Sequence, residues 1–115
     1  MVRVLLVDDE PGVRLLVGKR LSGCGWLVDK VLDGEEALDA SHRVDYDAIV
    51  LDQRLPGRSG LEVVHELDDD VPVVLFTAHL DDTVRAAAND AGCRVIDKTD
   101  LDGLVAALED VAHLS

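Results

Sequence analysis

Five residues carry most of the chemistry that this sequence can do. Asp8 and Asp9 follow the apolar run Val2–Val7, and Asp52 follows Ala48-Ile49-Val50-Leu51. Thr77 follows Val73-Val74-Leu75-Phe76, and Lys98 follows Arg94-Val95-Ile96-Asp97. Three carboxylates brought to about 5 Å of one another repel by roughly 3 kcal/mol per pair at an effective dielectric near 20. Such a cluster calls for a divalent cation or a proton. Oxygen ligands without a histidine or thiolate in the motif favour Mg2+ or Mn2+ over zinc. A lysine and a hydroxyl facing a metal and a carboxylate make a site for a phosphoryl group. A carboxylate can itself be the nucleophile in phosphoryl transfer. Taken singly, an aspartate after a strand is usually a turn cap, and Asp-Asp pairs recur at Asp68-Asp69 and Asp81-Asp82. The signal is the constellation.

For these residues to meet, the runs before them must be parallel strands sharing one carboxyl edge. Each run is short, apolar and rich in β-branched residues, as expected for strands buried on both faces. Between them lie helical patterns. Pro11 suits a first helical turn, and Val13, Leu16, Val17 and Leu21 recur at helical spacing toward an inward face, with Ser22-Gly23 as the stop. Trp26–Leu32 reads as a second strand, and Glu35 to about His42 as a short helix. Asp47–Asp52 holds the third strand, and Leu55-Pro56-Gly57 breaks it into an irregular loop. Gly60–Leu67 looks helical, with Leu61, Val64 and Leu67 inward. Asp81-Asp82 can start a helix carrying Val84, Ala87, Ala88 and Ala91, with Gly92 as its stop. Asp100 can cap a last helix with Leu101, Leu104, Val105, Leu108 and Val111 on one face. Five strands alternating with five helices, joined by right-handed crossovers, predict a doubly wound α/β domain with a parallel sheet.

The chain has 115 residues, the length of one domain, read as 1–115 without a linker, and 48% of them are hydrophobic. No apolar run reaches the length of a membrane span, and the start goes straight into a strand pattern, so a soluble, cytoplasmic protein is expected. The formal charge of −13 argues against nucleic acid as a direct partner. Cys24 and Cys93 are too few and too far apart for a zinc site or disulfide framework.

The residues as an ordered set resemble the receiver domain of bacterial and archaeal two-component response regulators, the CheY-like fold. The resemblance covers essentially the whole chain. It rests on Val7-Asp8-Asp9-Glu10, on Asp52 followed by Leu55-Pro56 and Gly60, on Pro72–Ala78, and on Lys98. It implies a flavodoxin-like sheet of order 2-1-3-4-5. That order places the strands after Cys24 and Cys93 at opposite edges, about 19 Å apart, too far for a disulfide between them. It further implies that Asp52 accepts a phosphoryl group from a histidine-kinase phosphohistidine. Asp8 and Asp9 would hold Mg2+ (or Mn2+), joined by Asp52 and the backbone carbonyl of Arg54. Thr77 would bond a phosphoryl oxygen, and Lys98 would pair with the phosphoryl charge.

On this reading the protein is a switch in a phosphorelay rather than a turnover enzyme. Its partners are a sensor histidine kinase or phosphotransfer protein and an output protein, without nucleic acid or membrane contact, and it is a monomer or weak dimer. Two departures stand out. Thr99 follows Lys98 where the family usually has proline, so a trans Lys98–Thr99 bond is expected, with Asp100 starting the helix. Val95 stands where the family carries an aromatic switch residue, which puts the usual threonine–aromatic readout in doubt. Gln53, Arg54 and His79 flank the phosphoryl site. Two alternatives stay open: a receiver-like interaction module that is never phosphorylated, and a phosphotransferase of the haloacid dehalogenase type. The latter needs Asp-x-Asp after its nucleophile strand, which Asp8-Asp9-Glu10 and Asp52-Gln53-Arg54 both lack.

Overall fold

A computed structural model describes residues 1–112. In chain order the elements are β1 (Arg3–Val7), α1 (Pro11–Gly23), β2 (Leu27–Val31), α2 (Gly34–Arg43), β3 (Ala48–Leu51), β4 (Arg54–Leu55), β5 (Arg58–Ser59), α3 (Gly60–Val64), β6 (Val73–Thr77), α4 (Asp82–Asp90), β7 (Arg94–Asp97) and α5 (Leu101–Val111). Five strands form one parallel sheet in the order β2-β1-β3-β6-β7. Counting sheet strands alone, this is the expected order 2-1-3-4-5.

The central strands are apolar throughout because helices cover both faces. Alternation along β1 sends Leu5 and Val7 into one core, with Ala37, Ile49, Leu51, Val63 and Leu75. Val4 and Leu6 enter the other, with Val17, Leu21, Val50, Phe76, Leu104 and Leu108. The period of two assigns neighbours along each strand to opposite layers. Of the helix starts, α2, α4 and α5 are capped by Asp33, Asp81 and Asp100, each accepting from the backbone N–H three residues on. Ser59 and Glu62 make a reciprocal capping box at α3.

Register places the site. Val7 pairs with Leu51 and Leu51 with Leu75, so Asp8 and Asp52 emerge side by side from adjacent strands. Asp52 donates its N–H to the Val7 carbonyl (3.1 Å), and Lys98 donates its own to the Thr77 carbonyl (3.2 Å).

Several details differ from the sequence expectation. Leu16 points away from the core, 61% exposed, and Leu15 is 58% exposed. The inward stripe of α1 is Val17, Gly18 and Leu21, with Val13 half-buried against the same core, a narrow face because this helix packs mainly against the edge strand β2. Ala87 is likewise exposed, and Ala88 is the buried residue of α4. The α3 helix ends at Val64, and Leu67 is buried from the turns that follow. Val63, unremarked in the sequence, is its fully buried residue. The Leu55-Pro56-Gly57 stretch is no irregular loop. It is the tip of an antiparallel β4–β5 hairpin, with Gly57 at φ 76° supplying a left-handed position.

Candidate phosphoryl and metal site

Asp8 and Asp52 are 2% and 4% exposed, and Thr77 is fully buried, all at the carboxyl edge of the sheet. Between the two carboxylates sits the ammonium of Lys98. Its Nζ lies 2.9 Å from Asp8 Oδ2, 3.0 Å from Asp52 Oδ2 and 3.0 Å from Glu10 Oε1. The carboxylate oxygens of Asp8, Glu10 and Asp52 lie within 4.8 Å of one another. One cation thus faces three anions.

Backbone donors fix the acids. Asp8 Oδ1 accepts from the N–H of Glu10 at 2.9 Å, and Asp52 Oδ1 from that of Arg54 at 3.3 Å. Arg14 donates to the Asp8 carbonyl at 2.8 Å, tying the first turn of α1 to the site. Burial pushes the Asp8 carboxyl above its ordinary range despite the opposing pull of Lys98 and of the Glu10 N–H. Burial alone would lower Lys98, but its bonds to Asp8, Asp52 and Glu10 outweigh this and raise it. Lys98 is therefore charged across the neutral range.

Asp52 is also held from behind. Gly60 donates its N–H to the Gln53 carbonyl at 2.8 Å, and Gln53 Oε1 accepts from the Leu61 N–H at 3.0 Å. A Cβ at Gly60 would lie 2.4 Å from the Asp52 carbonyl oxygen. Glycine is required there by contact. Arg58 pairs with Glu35 at 2.7 Å and with Glu66, fastening the hairpin to the helices beside it.

The sequence-predicted residues are placed as follows. Asp8, Asp52 and Lys98 converge. Thr77 stands at the end of β6, and its Oγ1 accepts from the His79 N–H at 3.1 Å. Asp9 is exposed, and the third converging carboxylate belongs to Glu10. Arg54 adjoins Asp52 through its N–H. Sequence reasoning gave no role to Glu10 or Asp97, and placed Gln53 beside the phosphoryl site without its bond to α3. Glu10 was visible only as one acid in a row of three, and Gln53 as one of two polar residues before Leu55-Pro56. The Lys98–Thr99 peptide is trans, as expected. Asp97 Oδ1 accepts from both the N–H and the hydroxyl of Thr99, at 2.9 and 2.7 Å, which lowers its carboxyl below the ordinary range. Val95 is half-buried against the core that contains Leu75. Cys24 is exposed and Cys93 buried, both reduced.

The donor set suits a hard divalent cation: oxygens only, on two buried aspartates and a glutamate. The family described as the response regulator receiver domain matches residues 4–109. This chain belongs to that family. Among curated relatives, the transcriptional regulatory protein TcrA of Mycobacterium tuberculosis is 43% identical over 94 residues, covering 79% of this chain and 37% of its own length. The response regulator MprA of Mycolicibacterium vanbaalenii is 42% identical over 94 residues, 79% of this chain and 41% of its own. The receiver domain thus spans about two-fifths of the curated relatives it matches. Among solved structures, the response regulator TrrA of Thermotoga maritima in complex with Mg2+–BeF superposes with a TM-score of 0.86 at 34% identity, covering 96% of this chain and 99% of that one. A complex of the histidine kinase ThkA with TrrA gives 0.87 at 34%, with both chains fully covered. Among the described residues of this receiver, no helix is long and apolar enough to cross a membrane.

Proposed function

We propose that this receiver is a phosphorylatable switch in which Asp52 takes a phosphoryl group from a histidine kinase or phosphotransfer protein. The observation that carries the reading is the Lys98 ammonium, 3.0 Å from a nearly buried Asp52 carboxylate that two neighbouring acids also crowd. Asp52 attacks phosphorus, a carboxyl O–P bond forms, and the P–N bond to the donor imidazole breaks. Charge then builds on the phosphoryl oxygens. Lys98 turns from carboxylate to phosphoryl oxygen, and the Thr77 hydroxyl donates to another. Asp8, Asp9, Asp52 and the Arg54 carbonyl, with Glu10 alongside, would hold Mg2+ or Mn2+, which would offset that charge. The protein turns over no external substrate beyond loading and losing this group. Its output passes to a partner protein.

Incubation with a small acyl-phosphate donor and Mg2+ should add the mass of one phosphoryl group. Asp52→Asn and metal chelation should each prevent it. Undiminished labelling of Asp52→Asn would place the acceptor elsewhere and end this reading.

A further inference from the structure

Lys98 reaches the site from an edge strand. Among the described residues only β6 pairs with β7, so no further strand pins the chain where it leaves the sheet. A lysine stem is flexible and loses considerable rotamer freedom when its ammonium is fixed. The chain compensates on both sides of Lys98. On one side the Lys98 N–H bonds the Thr77 carbonyl at 3.2 Å. On the other, Asp97 Oδ1 gathers the Thr99 N–H and hydroxyl, and the Asp97 carbonyl accepts from the Asp100 N–H at 2.9 Å. One carboxylate oxygen therefore closes a turn around Lys98, and Asp100 caps α5 directly after it. Asp97 reaches neither Asp8 nor Asp52. Its contacts are local.

We infer that Asp97, acting through Thr99, is a positioning residue for Lys98, holding the turn that brings the ammonium between Asp8 and Asp52. This rests on the reading of Asp52 as phosphoacceptor. It predicts a split between two affinities. The acids that would hold a divalent cation are placed by β1 and β3, so loosening the Lys98 ammonium among them does not weaken the hold on a cation, whereas a phosphoryl group must meet Lys98.

The test measures binding of Mg2+ alone, and of beryllofluoride at saturating Mg2+, by calorimetry on the full chain. Asp97→Ala should weaken beryllofluoride binding by about five- to tenfold, the scale of one ordinary hydrogen bond, and leave Mg2+ affinity unchanged or raised. Thr99→Val should go the same way to a smaller extent. Asp97→Asn and Thr99→Ser, which keep the acceptor and the hydroxyl, should restore most of the loss. In a Lys98→Ala background, Asp97→Ala should add nothing, as expected when one residue acts through the other. Unchanged beryllofluoride affinity in Asp97→Ala would overturn the inference. So would an undiminished effect in the Lys98→Ala background, or an equal loss of Mg2+ and beryllofluoride binding. If the wild type binds Mg2+ and takes up neither beryllofluoride nor phosphoryl groups, the phosphoacceptor reading falls, and this inference with it.

Discussion

Asp8 stands in a crowd of charge. It is nearly buried, within 4.8 Å of two other carboxylates, and shares one ammonium with both. Replacing it by asparagine keeps an acceptor for the Glu10 N–H and removes a charge. The cost of burying the charge, with a smaller part from repulsion by Asp52, exceeds the lost attraction to Lys98, which two other acids still hold. Asp8→Asn should therefore stabilise the metal-free protein by about 1–2 kcal/mol at pH 7, a fraction of the several kcal/mol that burying a charge can cost. The pH dependence follows from the direction of the Asp8 shift, above an ordinary 3.8. The folded protein takes up this proton at higher pH than the unfolded chain does, so stability due to Asp8 falls as pH rises through the raised value. The advantage of Asp8→Asn should be largest at neutral pH and fade on acidification through that value. Added Mg2+ should reverse it, because only the wild type gains the full binding energy. Urea denaturation at several pH values, with and without Mg2+, measures all three. A variant less stable than wild type at pH 7 would show that the bond to Lys98 outweighs the cost of burying the charge.

At the scale of elements, the strands were legible in the sequence and the β4–β5 hairpin was not. The central strands announce themselves because both faces are covered, so nearly every position is apolar, while the half-exposed edge strands Leu27–Val31 and Arg94–Asp97 carry charges among their apolar residues. A two-residue strand has no period to read, and Pro56-Gly57 signals a break without saying what it joins. Leu16 misled for a related reason: Val13, Leu16, Val17 and Leu21 fit one helical face, yet Leu16 falls outside the narrow strip where Val17 and Leu21 are buried and Val13 is half-buried. The site was legible as an ordered set of strand ends. Its supports were legible at most as positions: Gly60 stood in the motif and Gln53 beside the site, but their contacts, and the Asp97 turn, involve backbone groups that no residue pattern encodes. Gly60 gives the clearest test. A methyl there meets the Asp52 carbonyl, backbone that cannot yield cheaply. Gly60→Ala should cost about 1–3 kcal/mol of stability and slow phosphorylation by displacing Asp52. Urea midpoints and labelling rates on the same variant check both. Unchanged values would mean that the hairpin shifts freely beneath the site.

Across the whole molecule, the sheet separates its two ends. Trp26 lies half-buried before β2, where the Leu27 N–H bonds the Val2 carbonyl, while the site lies past the far ends of β1 and β3. Six residues of strand separate these levels, about 20 Å at 3.3 Å per residue. Mg2+ titration should leave tryptophan fluorescence nearly constant. Saturable quenching would reveal a conformational change reaching the opposite edge. The formal charge of −13 adds a field of the same sign as the site's own. With three carboxylates around one ammonium, the pocket carries a local charge of about −2 at neutral pH. An anionic phosphoryl donor would be repelled by such a pocket as it approached Asp52. On the proposed function the encounter would therefore have an order. Positive charge would be delivered first, and the supply of free divalent cation would act as a second input beside the kinase's signal.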